Sequence, residues 1–553
     1  KAKSGRCVPA AGERVATEGQ PQVWVSKGTS SGPALLGPLH VVVIGAGPCG
    51  LFAALQLARA GVNVTLCERG KPVEQRGRSI GALIRRGLID PESNFCYGEG
   101  GAGTWSDGKL TTRIGRNSEE VRQVLETLVH FGAPPRILID GAPHLGTDNL
   151  VRLLKNFRSE LLEHGVNVLW DARVEEFCLE PSSNDGQRTL DELSGSGDVS
   201  VHGVKLASGE QISCDAVVVA AGHSARELYT ELLRCGATLI PKDFAAGFRI
   251  EHPQELINRA RYGELAPFCA PVDSRMGADE TPQSLPPAAY RLATNIKVGD
   301  ETGGNVDAGT PPGAPPRGVY SFCMCPGGQI VPTSLDVAHL CVNGMSYSSR
   351  GSPWANSAVV VTVGASHGDF DDLRGALPPA LAGLEWQETM EERAAKMGGG
   401  QFKCPVQRVS DFLAGRPSAQ EDLPESSYRL GVTAASLHEL YPPAITDALR
   451  QGIAEFGQSM PGFDSSEGLL HAVETRTSAP VQVVRREDTC EAIGLRGLYP
   501  AGEGAGYAGG IVSAAVDGLR VAKALLKHVG GRRKAFERTL GDAEEALLSP
   551  PPI

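Results

Sequence analysis

From residue 39 onward the chain alternates short apolar runs with longer amphipathic stretches. Val41–Ile44 is a run of β-branched residues, the pattern of a strand buried on both faces. Leu51–Ala60 sets Leu51, Ala54, Leu55 and Ala58 on one helical face, and the apolar run Val62–Cys67 predicts the next strand. Helical spacing returns at Ser118–Phe131 (Val121, Val124, Leu125, Leu128) and at Asp148–His164 (Leu150, Leu153, Leu154, Phe157, Leu161). Gly165–Glu180 alternates like a strand pair, and the polar stretch Pro181–Asp198 reads as a hairpin tip. Two more alternating strands then lead to a buried one, Ala216–Ala221, which ends in Gly222 and turns into a helix over Ala225–Leu233.

From Pro241 to about Gly462 the period changes. Ala246–Ile250, Ala289–Val298, Gly318–Met324, Leu340–Ser348 and Ser357–Gly364 alternate, which predicts a mostly antiparallel sheet. Asp273–Leu285 and Gly299–Arg317 are rich in Gly, Pro and Asp and read as flexible loops. Helical patches are expected at Glu388–Lys396, Leu437–Tyr441 and Ala444–Phe456. Gly497–Val529 then restores the first pattern: strand, glycine-rich turn, long apolar helix.

Between the first two strands lies Gly45-Ala46-Gly47-Pro48-Cys49-Gly50, a GxGxxG turn. Gly45 permits the tight turn, Gly47 lets a pyrophosphate approach the backbone, and Gly50 lets the helix close on the strand. The pyrophosphate would sit at the helix N-terminus, among unpaired N–H groups. Glu68 stands 18 residues beyond Gly50 at the end of the second strand, where its carboxylate can accept from both ribose hydroxyls of an adenosine. An acid there disfavours a 2′-phosphate and so NADP. Strand, turn, helix, strand and acid together make a dinucleotide fingerprint. A second Gly-rich segment, Asn94–Arg113, supplies backbone N–H groups and hydroxyls (Thr104, Ser106) suited to a ligand met by main chain. A third, in Gly497–Val529, carries Glu503 in its turn and Gly509-Gly510 before the helix that begins near Ile511. An NAD domain needs only the first fingerprint. A domain for FAD needs the first for the ADP half and a closing turn and helix for the flavin half, and this chain has both.

The fold expected is α/β. A Rossmann-like, three-layer FAD-binding domain with a parallel sheet is built from N- and C-terminal segments, and an α+β substrate domain with a mostly antiparallel sheet is inserted in it. The boundaries read as 1–37 leader, 38–240 and 465–530 FAD-binding domain, 241–464 inserted domain and 531–553 tail.

Composition narrows the partners. A chain of 553 residues with 41% hydrophobic and 21% charged residues can bury cores in two or more domains. The net charge of −11 and the lack of a basic stripe argue against nucleic acid, and no apolar run reaches the length of a membrane span. Thirteen cysteines without framework spacing fit a reducing compartment. Cys323-Met324-Cys325 is too tightly spaced for the usual zinc or redox motifs, the twelve histidines have no metal spacing, and no metal is expected. The leader starts at Lys1 and is poor in acids, as in the remnant of an organelle transit peptide. Plastid, or another reducing compartment such as cytoplasm, is the expected location.

The motifs resemble those of the FAD-dependent dehydrogenases, also labelled FAD/NAD(P)-binding oxidoreductases, of bacteria and plastids. The resemblance rests on Gly45–Gly50 with Glu68, "YGEGGAGTWSDGKLTTR", "HLGTDNL", "YSFCMCPGG", "CPVQRVSDFLAGRPS", "VETRTSAPV" and "YPAGEGAGYAGGIVSAAVDG", spread from Val41 to Val529. Cys49 and Trp105 depart from the Ala and Phe expected there. The resemblance implies bound FAD. It implies that Gly45, Gly47, Pro48, Gly50, Glu68 and Arg69 hold the ADP half, with Val174 near the adenine. It implies that Gly101, Gly103, Thr104, Ser106, Asp107, Lys109 and Leu110 line the flavin, with Ala221 and Gly222 on the neighbouring crossover. Gly502, Glu503, Gly509, Gly510 and Ile511 would hold the ribityl and pyrimidine ends.

Hydride transfer at flavin N5 asks the protein for positioning and sometimes a base. Candidates are Lys109, Arg113, Glu474 and Arg476, with Arg408, Asp411 and Tyr507 behind them. Glu474 and Arg476 precede the closing segment and either face the flavin or bridge the domains. Outside the first fingerprint no second nucleotide turn is present; Val361–Phe370 lacks GxGxxG. NAD(P)H is then a transient reductant, or an organic substrate reduces FAD directly. The sequence favours an FAD-dependent oxidoreductase acting on a small molecule held between the domains. A flavin-binding scaffold or accessory subunit, docking through tails and long loops, and an NAD(P)H-dependent monooxygenase are the alternatives.

Overall fold

Val41, Val42 and Val43 have no solvent-exposed surface, because their strand is paired on both edges and covered on both faces. The computed structural model describes residues 39–115, 118–181, 199–269, 285–296, 315–373 and 378–548. The leader, the hairpin tip beyond Pro181 and most of the two long loops lie outside the described residues.

In chain order the first half contains β1 (His40–Ile44), α1 (Pro48–Arg59), β2 (Asn63–Cys67), α2 (Val73–Arg86), α3 (Glu119–His130), α4 (Thr147–Glu163), β3 (Asn167–Leu169), β4 (Val174–Pro181), β5 (Val199–Leu206), β6 (Gln211–Ser213), β7 (Ala216–Val219), α5 (Arg226–Arg234) and β8 (Leu239–Pro241). There follow β9 (Phe244–Pro253), α6 (Gln254–Tyr262), β10 (Ala293–Ile296), β11 (Arg317–Cys325), β12 (Gln329–Pro332), β13 (Val342–Met345), β14 (Trp354–Val363), α7 (Ala382–Gly398), β15 (Cys404–Arg408), α8 (Val409–Ala414), β16 (Val432–Ala434) and α9 (Pro443–Ser459). The chain closes with β17 (Leu469–Glu474), β18 (Val481–Val483), β19 (Leu498–Pro500) and α10 (Ile511–Leu548).

Two sheets organise the molecule. The first is parallel, in the order β19-β7-β1-β2-β3. The alternation of Val41 and Val43 against Val42 and Ile44 feeds two cores. The first pair packs with α1, α3, α4 and α10, the second with α5 and the β4-β5-β6 sheet. This gives the three layers expected, with β19 and α10 returned from the end of the chain. The second sheet runs β10-β11-β14-β9-β17-β15-β16 and is antiparallel except at β15–β16.

Four sequence expectations change. β17, left with the closing segment by a boundary at 464, is a strand of the second sheet, flanked by β9 and β15. Its residues are all buried, so it lacks the polar alternation that marked the other strands. Arg317, assigned to a loop, is in β11, its guanidinium buried against Asp369 at 2.6 Å. The Leu437–Tyr441 patch is a single 3-10 turn at Leu437–Glu439, too short to close α-helical bonds. The presumed tail continues α10 to Leu548 through a stretch rich in Ala, Glu, Arg and Leu, good helix formers. α2 was not anticipated: two glycines and five charged residues dilute an apolar stripe that buries Val73, Ile80 and Leu83.

Candidate functional site

All three glycine-rich segments meet at the carboxyl ends of the parallel strands. Gly45 turns the chain at φ 99°, where a side chain would meet the Ala220 carbonyl of β7's extension. The Gly100 N–H donates to the Ala46 carbonyl at 2.8 Å, which lays the second segment against the first. Gly101 sits at φ 63° with Gly47 beside it, and a Cβ on Gly103 would stand 2.9 Å from Ile511 at the start of α10. A Cβ on Gly502 would meet Cys49 of α1 at 2.8 Å, and one on Gly504 would meet Gly222 at 2.6 Å. At Gly45, Gly101 and Gly504 backbone faces backbone around a cradle, while Gly103 and Gly502 make room for the side chains of Ile511 and Cys49.

Glu68 stands at the rim of this cradle, 4% exposed. Its Oε2 accepts from the Ala46 N–H at 2.7 Å, and its Oε1 accepts from the N–H groups of Gly70 and Gly98, each at 2.9 Å. The carboxylate thus ties the fingerprint turn to the second segment as well as standing where a ribose is expected. Val174 is buried on the strand that follows Ala172, whose N–H donates to the Glu68 carbonyl at 2.9 Å. Arg69 is engaged otherwise. It pairs with Glu92 at 2.8 Å and Glu227 at 2.6 Å and lies 3.8 Å over the Tyr97 ring.

The residue that shapes the second segment escaped the sequence reading. Arg76 of α2 has no exposed surface, and its guanidinium donates to the carbonyls of Asn94 (2.9 Å), Phe95 (2.9 Å), Glu99 (2.7 Å) and Gly101 (2.9 Å). Burial pushes its pKa down to about 10, with Glu68 opposing. Gathering carbonyls inward turns the opposite edges of these peptides, their N–H groups, away from Arg76. Thr104, buried, also accepts from Arg76, at 3.3 Å. Ser106 closes the turn, donating to the Gly103 carbonyl at 2.7 Å and accepting from the Gly108 N–H at 3.0 Å. Leu110 is buried, its N–H on the Pro143 carbonyl at 2.9 Å.

The closing segment brings a polar atom without a partner. Glu503 Oε1 has no exposed surface and no hydrogen bond. Burial pushes the Glu503 carboxyl up to about 7, against the charge of Lys242 and a bond from the Ala479 backbone. Gly222, after Ala221, lies at φ 73° against Gly504, the next residue along from Glu503. Gly509 and Gly510, both exposed, lead into α10, and no atom stands within 4 Å of where their side chains would be.

The second segment also reaches the inserted domain. Asp107 accepts from the Ser346 hydroxyl and from Arg350 Nη2 at 3.0 Å. Lys109 Nζ donates to the Met324 carbonyl of β11 and lies 4.0 Å from Asp107. Arg113 is exposed and forms no ion pair with any described residue. Glu474 and Arg476 are used differently from the candidates that could meet a substrate. Glu474 is bound to Arg249 at 3.1 Å, both fully enclosed, and burial raises its carboxyl pKa. Arg476 is bound to Glu391 at 2.5 Å, and the same carboxylate holds Arg226 of α5 at 2.9 Å. Each is committed to a buried pair, and drawing it toward a substrate would strand its partner's charge. Arg476 and Glu391 both belong with the second sheet, and it is Glu391 with Arg226 of α5 that joins the two domains. Arg408 and Asp411 pair with each other at 2.7 Å, and the Tyr507 ring stacks on Arg485 at 3.7 Å.

Cys323 and Cys325 are free thiols on the irregular end of β11. Burial pushes the Cys323 thiol up to about 12, with Lys109 and Arg249 opposing, so the pair carries no thiolate near neutral pH. Among the described residues no cluster of three His, Cys, Asp or Glu could hold a metal ion, and no helix is long and apolar enough to cross a membrane.

Comparison with known proteins agrees with this geometry. Residues 40–186 match the family described as FAD dependent oxidoreductase, and residues 243–477 match that described as FAD-dependent protein, C-terminal domain-like. An uncharacterized protein of Clostridium beijerinckii is 39% identical over 486 residues, 88% of this chain and 80% of that one. The chain belongs to the FAD-dependent oxidoreductases. The match to residues 243–477 of this oxidoreductase takes in β17, as the second sheet does. Among solved structures, CtdE in complex with FAD is 12% identical over 91% of this chain and 94% of its own, with a TM-score of 0.28. THI4 of Thermovibrio ammonificans is 20% identical over 36% of this chain and 64% of its own, with a TM-score of 0.24. At such scores neither likeness defines a shared arrangement of the whole chain.

Proposed function

We propose that the protein passes a hydride between FAD and a small organic substrate held between the parallel-sheet domain and the second sheet. The observation that carries this reading is Glu503 Oε1, a carboxylate oxygen that is buried, unpartnered and flanked by glycines. A buried polar atom without a partner costs about 1–3 kcal/mol, so it is kept where a ligand completes it. A ribityl hydroxyl is the group the closing turn of an FAD domain offers it. The backbone of Gly47, Gly101 and Gly103 beside Ile511 fits the same cofactor, since three of these four positions carry no side chain to hold a ligand off the main chain.

Bound FAD supplies a two-electron carrier that accepts or donates hydride at N5. The chain's own contributions follow from its residues. The N-terminus of α1, with Gly45, Gly47, Pro48 and Gly50, would hold the pyrophosphate. The N-terminus of α10, reached through Gly509, Gly510 and Ile511, would stabilise negative charge on the reduced cofactor. Glu503, with its carboxyl near pKa 7, can hold a proton at Oε1 and donate or accept there. Lys109, anchored on Met324 and beside Asp107, and the exposed Arg113 are cations that a substrate could meet. NADH or NADPH would visit as a reductant rather than reside.

The test is an anaerobic titration of the purified protein with NADH and NADPH, read by flavin absorbance. Prompt bleaching makes it a pyridine-nucleotide-dependent reductase. A yellow protein that does not bleach directs the search to an organic reductant. Oxygen consumption coupled to a hydroxylated product would replace the dehydrogenase reading with that of a monooxygenase. A colourless protein that cannot be reconstituted with FAD overturns the proposal.

A further inference from the structure

Asp107–Leu110 and Pro143–Gly146 run antiparallel. The Leu110 N–H donates to the Pro143 carbonyl at 2.9 Å, and the Leu145 N–H donates to the Gly108 carbonyl at 3.0 Å. These bonds leave Lys109 opposite His144 as a non-hydrogen-bonded pair, the kind whose side chains stand closest. Asp107, two residues before Lys109, shares their face. The inserted domain covers that face. Asp107 accepts from the Ser346 hydroxyl and from Arg350 Nη2 at 3.0 Å, and Lys109 Nζ donates to the Met324 carbonyl.

Donors are left over here. Lys109 has three N–H groups and spends one on Met324; Asp107, 4.0 Å away, is beyond hydrogen-bond reach. Arg350 Nε is shielded from solvent and has no partner. Charge is left over as well. Asp107 is one carboxylate between two cations. Burial pushes the His144 imidazole down to about 4, with Arg350, Arg136 and Lys109 acting the same way against Asp107, so it stays neutral. Asp148, the next carboxylate along, is exposed and turned to the Ser348 N–H at 2.9 Å and hydroxyl at 2.6 Å. Lys109, Arg350 and Asp107 together carry one positive charge, open to solvent through the Lys109 side chain, which is 31% exposed. A single carboxylate balances that charge, whereas a phosphate dianion overshoots it.

We propose that Lys109 and Arg350 seat the carboxylate of an organic acid where this face meets the inserted domain. The inference rests on the flavoenzyme reading and names the class of its substrate. Hydrogen bonds between a cation and a carboxylate are about twice as strong as neutral ones, and the ligand gives Arg350 Nε the acceptor it lacks.

The probes are butyrate and butyramide, alike in shape and different in charge, with inorganic phosphate as a third. Each is titrated into the FAD-bound protein at constant ionic strength and followed by calorimetry and by perturbation of the flavin spectrum. Butyrate should bind at least about tenfold more tightly than butyramide. Lys109→Met should remove most of that preference and Lys109→Arg should restore it. Arg350→Lys keeps the charge but loses Nε, and should weaken butyrate while leaving butyramide unchanged. The proposal is overturned if the two probes bind alike, if butyrate does not bind in the tens of millimolar, if phosphate binds more tightly than butyrate, or if Lys109→Met keeps the preference. Should Arg350→Lys fail to fold, the two Lys109 variants still decide. A protein that fails to hold FAD counts against the flavoenzyme reading alone, because calorimetry with butyrate still reads this seat.

Discussion

A Cβ placed on Gly101 would lie 3.1 Å from the Cα of Gly47. Two segments distant in sequence approach as bare backbone, and Gly101 does so at φ 63°, a conformation that costs an L side chain about 1–2 kcal/mol. Gly101→Ala should therefore lose both stability and FAD. Gly61→Ala is the control, with φ 81° and no atom within 4 Å. It should lower the melting temperature while leaving the flavin-to-protein ratio after gel filtration unchanged. Equal flavin loss in both variants would mean that the contact with Gly47 is not what matters.

Arg76 should be irreplaceable even by lysine. A single ammonium cannot span the carbonyls of Asn94, Phe95, Glu99 and Gly101 that the guanidinium collects. Arg76→Lys is expected to cost about 2–4 kcal/mol in urea denaturation and to open the segment after residue 94 to limited proteolysis. Wild-type cleavage kinetics there would refute the role.

Glu391 holds two arginines from different parts of the chain. Burial pushes its carboxyl up, yet Arg476 and Arg226 outweigh this and bring it down to about 2. Glu391→Gln leaves the enclosed Arg476 guanidinium without its counter-charge, while Arg226 keeps Glu388 at 3.1 Å; breaking such a buried pair typically costs about 3–5 kcal/mol. Substituting Arg476→Met together with it should recover part of the loss, because the stranded charge is removed. A double variant no more stable than Glu391→Gln would speak against the pair.

Glu251 gives the protein a pH dependence of definite sign. Its carboxyl is buried in β9, accepting from the Ser427 N–H at 2.9 Å, and burial pushes it from 4.5 up to about 7. Between those values the folded chain keeps a proton that the unfolded chain has released. The stabilisation is complete below about pH 4.5 and is lost as pH rises through 7. Glu503 shifts in the same direction. The urea midpoint should fall from pH 5 to pH 7.5, and Glu251→Gln should flatten that fall. An unchanged slope in the variant would assign the pH dependence to other groups.

The parts legible in the sequence were those whose pattern is local. The run Val41–Ile44, the turn at Gly45–Gly50, the helix after it and Glu68 lie within one stretch, and so does the closing turn with Glu503 and Gly510. Both sheets could be anticipated from strand periodicity, except where burial on every side erased the alternation, as in β17. What could not be read were partners set by the tertiary fold. Nothing near Glu474 announces Arg249, nothing near Arg476 announces Glu391, and an arginine in a charged stretch reads as surface although Arg76 is wholly enclosed. A signal did exist for Arg76: five glycines follow within Asn94–Arg113, and a segment so poor in side chains needs a donor from elsewhere to fix its carbonyls.

α10 lies across α1, with Gly518 against the Cys49 backbone, and the wall made by Gly502, Glu503 and Ile511 is synthesised long after the fingerprint turn it closes. Synthesis adds about 5–20 residues per second, so the fingerprint turn emerges many seconds before its closing wall. During that interval the first helix has no α10 to cover its apolar side. Truncation before Gly497 would leave the ribosome's product with an adenosine half-site and no lid, and such a fragment should be cleared by proteases rather than accumulate as a weak binder.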